Sequence, residues 1–396
     1  MAYRLLTPLE ITFEKRHLDR HPEGGKAFGC FAMHHAIILP TYDKCLHIHS
    51  FYTPQVSLPN CKRDMSFSFS PLPLTNPQEI LLDLSPFILI HKNGRIERLV
   101  GEEILPPSND PTTGVRSKDV QISPETGLSA RLYLPLAEAP EQKKLPVLIY
   151  FHGGGFVAAT AFSAMFQPYL NKLALEAKTL IISVDYRRAP EHLYPAAFDD
   201  SWDAIKWVAA HATMNGDEPW LNKYADFERV FFGGESSGAN ICHQMGMRIG
   251  SGQDMVPFND RVKLAGIVLI HPYFWGETLI GGEVVADVKE RNILEKLWWV
   301  MNPSLSGLDD PLVNPGTDPN LSKLGCGRVL VFVAEKDLLR DRGWYYYEAV
   351  GKSGWKGRVE IVESNGEGHA FHLFTPFGEN ASALYKTMSS FINGDK

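Results

Sequence analysis

Apolar runs and helical apolar spacing alternate along most of the chain. Short apolar runs predict buried strands over residues 146–151, 179–184, 229–232, 264–270, 328–334 and 359–362. Apolar residues spaced by three or four positions predict helices over residues 168–177, 196–210, 239–249 and 379–392. Alternation of this kind indicates an α/β fold with a mostly parallel central sheet that is flanked by helices.

The pattern is less regular before residue 145. Residues 118–122 and 128–134 alternate apolar and polar side chains, which predicts a β-hairpin that opens the sheet. Residues 81–95 predict a short helix and then an extended arm, with Asn93-Gly94 as a turn. Residues 100–113 are rich in Pro, Asn and Asp and predict a loop.

Residues 283–310 interrupt the alternation. They contain Trp298 and Trp299 and no strong strand pattern. An insertion after a sheet strand is where a small cap or lid over a pocket would lie. The alternative is a surface helix whose tryptophans pack on the core, and the sequence leaves both open.

Residues 1–76 differ from the rest of the chain. They hold three of the five cysteines and no strand–helix alternation, so we expect either a poorly ordered extension or sequence upstream of a functional start near Met65. Residues 77–396 would then form the catalytic domain. Cys45, His47 and His49 are close in sequence, but no paired zinc-ligand spacing is complete, so no metal site is predicted.

Composition and charge narrow the classes of partner and location that we expect. The chain has 396 residues, 44% of them hydrophobic, and a formal net charge of −7, which gives no reason to expect nucleic acid or an anionic membrane as a partner. The longest apolar runs are about six residues, well short of the ~20 that a membrane span needs. The odd number of widely spaced cysteines and the charges between Arg4 and Arg16 lead us to expect a cytoplasmic protein.

Candidate chemistry begins at Gly234-Glu235-Ser236-Ser237-Gly238. This segment fits the G-x-S-x-G nucleophile elbow, a sharp strand-to-helix turn that exposes one serine hydroxyl above a parallel sheet. A predicted strand precedes it and a predicted helix follows it. Ser236 is therefore the candidate nucleophile.

A serine hydroxyl needs a general base, and the base needs an orienting acid. Asp337 follows the predicted strand 328–334, and His369 follows the predicted strand 359–362, so both lie on loops at strand ends. Asp341 and Glu335 are rivals for the acid; the first is expected to begin a helix and the second to point elsewhere. His372 is the rival for the base, and we favour His369.

A Gly-rich segment could supply donors for an oxyanion. Residues His152, Gly153, Gly154 and Gly155 follow the predicted strand 146–151. Consecutive glycines let backbone N–H groups face a ligand without side chains in the way, and this HGGG segment matches the oxyanion loop of lipases and esterases. The amide of Ser237 would be a further donor.

These motifs resemble the plant carboxylesterase family, the hormone-sensitive-lipase-like branch of the α/β-hydrolases. Matching segments are YFHGGGF, SVDYRRAPEHLYPAAFDD, GGESSGAN, HPYFWG and GHAFHLF, and the resemblance covers about four fifths of the chain, from about Ile80 onward. It implies an α/β-hydrolase fold. Its catalytic triad carries over to Ser236, Asp337 and His369, and its oxyanion hole to the amides of Gly154, Gly155 and Ser237. His152 would support the loop without reacting.

The resemblance implies a serine carboxylesterase that needs no cofactor and acts on a small-molecule ester. Common members carry Asp and Ala where this chain has Glu235 and Ser237, and the segment is similar to 2-hydroxyisoflavanone dehydratases, which eliminate water from a flavonoid. Dehydration is therefore the alternative function. Gibberellin receptors share the fold but lack the catalytic histidine, so His369 disfavours a binding-only role. The sequence leaves the oligomeric state open.

The substrate pocket is expected to be apolar. Its candidate residues are Phe156, Phe162, Phe166, Tyr273, Trp275, Phe371 and His372.

Overall fold

The computed structural model describes residues 79–109, 113–136, 144–213, 216–252 and 261–394, and the first of its described elements form a three-stranded antiparallel sheet. The strands are β1 (Ile80–Leu84), β2 (Ile88–His91) and β3 (Ile96–Arg98). The predicted extension, residues 1–76, and the start near Met65 lie outside the described residues.

The prediction of a short helix within residues 81–95 was wrong. Burial alternates residue by residue along β1, which is the period of a strand. Pro86 follows directly and disfavours a helical conformation at Ser85. The predicted turn at Asn93-Gly94 is confirmed: Gly94 has a φ of 84°, and its N–H donates to the His91 carbonyl at 2.9 Å.

The central sheet has eight strands. They are β4 (Val115–Ser123), β5 (Leu128–Pro135), β6 (Leu145–Phe151), β7 (Leu180–Asp185), β8 (Ala225–Glu235), β9 (Leu264–Ile270), β10 (Arg328–Ala334) and β11 (Arg358–Ser364). Their spatial order is β11-β10-β9-β8-β6-β7-β5-β4. Every neighbouring pair from β7 to β11 is parallel, and β5 pairs antiparallel with both β4 and β7. The predicted mostly parallel sheet and its opening hairpin are confirmed.

Helices cover both faces of this sheet. They are α1 (Phe166–Ala177), α2 (Ala196–Ala210), α3 (Pro219–Tyr224), α4 (Ser237–Ser251), α5 (Val288–Met301), α6 (Arg340–Lys352), α7 (Phe371–Phe374) and α8 (Glu379–Asn393). Side chains alternate along each central strand. In β6, Val147 and Ile149 join the core under α2 and α4, whereas Leu148 and Tyr150 join the core under α1 and α8. All seven residues of β6 are buried, as a strand covered on both faces requires. No helix in the described ranges is both long and apolar enough to cross a membrane.

The segment of residues 283–310 combines both of its expected roles. It forms α5, whose Trp298 is fully buried while Trp299 is 40% exposed. Trp298 stacks on Tyr273 with ring centroids 4.8 Å apart, which is the core packing. Ile293, Leu294 and Leu297 of the same helix line the cavity described below, which is the role of a cap.

A buried ion pair anchors the chain just before α5. Arg342 of α6 donates through Nε and Nη2 to the two carboxylate oxygens of Glu283, at 2.6 and 2.8 Å. Arg342 Nη2 also donates to the Thr278 carbonyl at 2.8 Å. Both charged side chains are almost completely buried. The pair therefore joins the start of the cap to the sheet layer through α6.

Replacing Arg342 with methionine should lower the free energy of unfolding by about 3–5 kcal/mol, because the Glu283 charge would remain buried without its partner. Urea denaturation followed by circular dichroism measures this loss. Arg340→Met is the matched control: Arg340 is about one third exposed and pairs with Glu363, so its loss should be about 1 kcal/mol or less. Equal losses in the two variants would contradict the anchoring role.

Candidate active site

Ser236 occupies the turn between β8 and α4 in a strained conformation. Its φ of 54° and ψ of −119° are outside the regions that a serine normally adopts. The turn is held by its own backbone: Ser236 N–H donates to the Ile270 carbonyl at 2.9 Å, and the Ser236 carbonyl accepts from Tyr273 N–H at 3.0 Å. Strain retained at one residue by surrounding bonds is characteristic of functional sites.

The glycines of the elbow allow two chain segments to meet. A β-carbon at Gly238 would overlap the carbonyl oxygen of Phe151, and one at Gly234 would lie 2.5 Å from the same oxygen. Any larger residue would push the elbow away from the end of β6. The G-x-S-x-G spacing therefore reflects close packing between the elbow and the strand that leads into the Gly-rich loop.

Asp337 and His369 form a hydrogen-bonded pair. The His369 Nδ1–H donates to Asp337 Oδ2 at 2.7 Å, and Leu339 N–H donates to Asp337 Oδ1 at 3.0 Å. The Asp337 carboxyl is buried, whereas the imidazole keeps about one third of its surface exposed. With Nδ1 protonated, Nε2 carries the lone pair, so the ring is oriented as a base.

The pair is electrostatically coupled. Burial by itself would raise the pKa of Asp337, but attraction to His369 and the hydrogen bonds outweigh it and hold the pKa below its ordinary value. Burial by itself would lower the pKa of His369, but the charge of Asp337 and the bond to it outweigh this, so the pKa lies above 6.5. The arrangement favours a basic imidazole.

The rival residues occupy other positions. Glu335 Oε2 accepts from Gly366 N–H at 2.6 Å, and no hydrogen bond joins Glu335 to His369 in the described structure. Asp341 lies in the first turn of α6 and accepts from Gly282 N–H at 2.6 Å. His372 is fully buried, and neither of its ring nitrogens has a hydrogen-bond partner in the described structure.

The Gly-rich loop follows β6 and presents free amides. Gly154 and Gly155 have φ values of 108° and 61°, and a β-carbon at Gly154 would overlap the Ala158 carbonyl. Val157 and Ala158 donate to the Gly154 carbonyl at 3.1 and 2.9 Å and close a tight turn. Within the described residues, the amides of Gly154, Gly155 and Ser237 donate to no protein acceptor. They are therefore available to an anion.

His152 supports this loop. Its ring stacks on Tyr186 with centroids 4.2 Å apart, and Tyr186 O–H donates to the His152 carbonyl at 2.7 Å. Burial lowers the pKa of His152 to about 3, so the ring is neutral. These contacts agree with the supporting role implied by the resemblance.

A cavity of about 230 Å³ joins these parts. Ser236, His369, Asp337, Gly155 and Tyr273 line it. In the described structure no hydrogen bond connects Ser236 Oγ to the imidazole, and catalytic hydrogen bonds commonly tighten only when substrate is bound. The remaining wall is mainly apolar and includes Pro86, Phe87, Ile293, Leu294, Leu297 and Leu339.

The other aromatic residues expected in the pocket pack outside the cavity lining. Phe156 contacts Phe198 and Trp298, and Trp275 is buried beneath the guanidinium of Arg342. Phe162, Phe166, Phe371 and His372 lie against Arg131, His152, His271 and Tyr169, respectively. Sequence reasoning missed the turn at Pro86 and Phe87. It also missed the apolar face of α5, which its three- and four-residue spacing could have revealed.

His271 is a further residue that the sequence did not single out. One of its ring nitrogens lies within 4.8 Å of ligand atoms of Asp337 and His369, a set that could in principle hold a metal ion. However, His271 Nδ1 accepts from Ala370 N–H at 3.0 Å, which leaves the neutral ring protonated at Nε2, without a lone pair for a metal. This tautomer of His271 does not suit a metal site.

Known proteins share this architecture. A family model described as alpha/beta hydrolase fold matches residues 148–373. Probable carboxylesterase 13 of Arabidopsis thaliana is 48% identical over 326 residues, which cover 80% of this chain and 99% of that protein.

A 2-hydroxyisoflavanone dehydratase of Glycyrrhiza echinata is 43% identical over 325 residues, which cover 80% of this chain and 98% of that protein. A hyperthermophilic esterase from the archaeon Pyrobaculum calidifontis has a TM-score of 0.59 at 27% identity, covering 70% of this chain and 85% of that chain. The fold, the order of the site residues along the chain and these relatives lead to one conclusion: the chain belongs to the alpha/beta hydrolase fold family, alongside the plant carboxylesterases.

Proposed function

We propose that the protein is a serine carboxylesterase that hydrolyses small-molecule carboxylic esters through an acyl-enzyme on Ser236. One observation supports this most directly: Ser236, held in the strained elbow, shares a cavity with the hydrogen-bonded pair of His369 and Asp337. A nucleophile, a base and an acid in this relation are the requirements of acyl transfer.

In the acylation step, Ser236 Oγ attacks the ester carbonyl while His369 Nε2 takes its proton. Asp337 keeps the imidazole in the required tautomer and stabilises the imidazolium that forms. The free amides of Gly154, Gly155 and the residue after the nucleophile donate to the developing oxyanion. The ester C–O bond then breaks, and the leaving alcohol takes the proton from His369.

Deacylation uses the same groups. His369 removes a proton from water, which attacks the acyl carbonyl through a second tetrahedral intermediate. The bond to Ser236 Oγ breaks, the proton returns to the serine oxygen, and the carboxylic acid leaves. The anion-binding amides act in both halves, because negative charge develops on the same oxygen each time.

The cavity supports a small, largely apolar substrate. Its volume of about 230 Å³ is below the range of ~300–1,000 Å³ typical of pockets for drug-sized ligands. The loop at Phe87 and the cap helix α5 close its apolar side. Apart from Asp337 and His369, the ionisable residues among those that line it are Glu290 and Lys336, and both are exposed.

The dehydratase from Glycyrrhiza echinata provides the alternative function, because that relative is 43% identical to this chain. Ser236 and the hydrogen-bonded pair of His369 and Asp337 supply the groups needed for hydrolysis, so we favour the esterase. A cytoplasmic location remains a prediction. Within the residues that the structure describes, Cys242 and Cys326 form no disulfide.

The decisive assay offers the purified full-length protein p-nitrophenyl butyrate and a 2-hydroxyisoflavanone side by side. The esterase proposal expects rapid release of p-nitrophenol and stoichiometric inactivation by an organophosphate, with one adduct at Ser236 by peptide mass spectrometry. Isoflavone formation with negligible ester turnover would favour the dehydratase. Organophosphate modification of another serine would contradict the nucleophile assignment.

A further inference from the structure

The carboxyl group of Glu235 lies beneath the site at a junction between two catalytic segments. Glu235 is the last residue of β8, directly before Ser236, and it is 1% exposed. Its Oε1 accepts the Gly153 N–H and its Oε2 accepts the Tyr150 O–H, both in very close contacts. The mechanism above does not use this buried acid.

These two contacts join the Gly-rich loop to the elbow. Gly153 directly precedes Gly154, whose amide is one of the free donors. A β-carbon at Gly153 would lie 2.9 Å from Glu235 Oε1 and 3.2 Å from Ser236 Cβ, so the loop backbone rests against the elbow. Catalytic donors must be held to within about 0.5 Å of their productive position. One side chain thus connects the donors to the nucleophile.

The side chains around this carboxyl group are mostly neutral hydrogen-bond donors, and few of them carry a charge. Tyr150, Tyr169, Tyr186 and Cys242 lie near it, all buried and neutral at ordinary pH. His369 is the neighbouring group that becomes cationic. A carboxylate that accepts two hydrogen bonds in such a setting can remain ionised although it is buried.

We propose that Glu235 is a positioning residue whose carboxylate clamps the oxyanion loop to the nucleophile turn, a role that rests on the hydrolase function proposed above. The clamp fixes where the Gly154 and Gly155 amides lie relative to Ser236 Oγ. Misplacement of catalytic groups by about 1 Å can cost about 100-fold in rate. Glu235 therefore acts through the loop, without touching substrate.

The charge of Glu235 has a second, separable effect. Burial raises the pKa of Glu235 to about 7, and the bonds from Tyr150 and Gly153 oppose this. Its negative charge adds to that of Asp337 in raising the pKa of His369. The nearby rings of His271 and His372 have lowered pKa values because of burial and stay neutral. The Glu235 carboxyl itself takes up a proton near neutral pH, so removing its charge should move the acidic limb of the activity profile to lower pH by only a small amount.

Three variants separate the clamp from the charge. Glu235→Gln keeps the clamp, because its amide oxygen can accept from Gly153 and its NH₂ can donate to the Tyr150 hydroxyl oxygen, but it removes the charge. Glu235→Ala removes both. Tyr150→Phe removes one bond to the carboxyl and keeps the link to Gly153, so it is the matched control.

The test measures kcat, KM and the pH dependence of kcat/KM for p-nitrophenyl butyrate, with circular dichroism as a check of folding. We expect kcat of Glu235→Ala to fall ~10- to 100-fold with little change in KM. For Glu235→Gln and Tyr150→Phe we expect kcat within several-fold of the wild type. The apparent pKa of the acidic limb should fall in Glu235→Gln.

Wild-type kcat in a folded Glu235→Ala variant would overturn the clamp. If that variant does not fold, Glu235→Met decides, because methionine has a similar volume but no oxygen to accept from Gly153 N–H. A kcat that falls ~10-fold or more with little change in KM supports the clamp, and a wild-type kcat overturns it. A wild-type protein without ester turnover would instead contradict the proposed function, so the two failures are distinguishable.

Discussion

Replacing Ser236 with alanine should reduce kcat/KM for ester hydrolysis by at least about 10⁴-fold, the scale seen when a catalytic nucleophile is removed from an enzyme of this mechanism. The variant retains the cavity and the free amides, but it has no oxygen on which the acyl-enzyme can form. Steady-state hydrolysis of p-nitrophenyl butyrate measures the loss. The variant should also take up no organophosphate.

Ser237→Ala is the matched control for this loss. Ser237 is also a buried serine in the same turn, yet its expected contribution is its backbone amide, which alanine preserves. Its activity should therefore remain within several-fold of the wild type. Similar activity in Ser236→Ala and wild-type protein would show that another residue is the nucleophile.

Replacing Asp337 with asparagine should lower kcat by ~10³- to 10⁴-fold, because the amide disrupts the orientation and charge that the base requires. The Asn side chain can donate its N–H to His369 Nδ1, which places the ring proton on Nε2, where the lone pair is needed. The variant also loses the negative charge that stabilises the imidazolium. Rates measured from about pH 5 to about pH 10 will separate the two effects.

The direction in which activity changes with pH follows from the pKa of His369. Asp337 helps to hold the pKa of His369 above 6.5, and the base acts in its neutral form, so wild-type activity is lost as the pH falls through that raised value. In Asp337→Asn the pKa of His369 should fall, and the residual activity should persist to lower pH. Thus the variant is slower at every pH, but its acidic limb is displaced downward.

Asp341→Asn is the control for the acid. Asp341 lies four positions further along the chain, but its carboxylate accepts from Gly282 N–H and pairs with Arg340. Its replacement should change kcat by no more than several-fold. Comparable losses at positions 337 and 341 would show that the acid has been assigned wrongly.

The elbow was predictable because its chemistry is local. The sequence Gly234 to Gly238 specifies a turn that only glycine at its flanks permits, and the structure places Ser236 there at a φ of 54°. The strands of the central sheet were equally predictable, because a strand buried on both faces requires a continuous apolar run such as β6 or β10. Both signals depend on residues that are close together along the chain.

The small sheet at residues 80–98 was harder to predict. Its strands have only three to five residues, too short to distinguish an extended period from a helical one. Its turn at Phe87 reaches the cavity only because the folded chain brings it beside α5. The aromatic residues near the motifs depend on packing in the same way: Phe156 and Trp275 are buried, and Tyr273 is the member of the expected set that lines the cavity.

The sequence by itself determined the mostly parallel sheet, the elbow, the Gly-rich loop and the order of serine, acid and histidine. It could do so because periodicity and turn chemistry act between residues that are close along the chain. Only the tertiary structure decided that Asp337 rather than Glu335 or Asp341 binds His369, and that Glu235 reaches Gly153. Those contacts join residues 32 and 82 positions apart, and their direction depends on how the sheet aligns its strand ends.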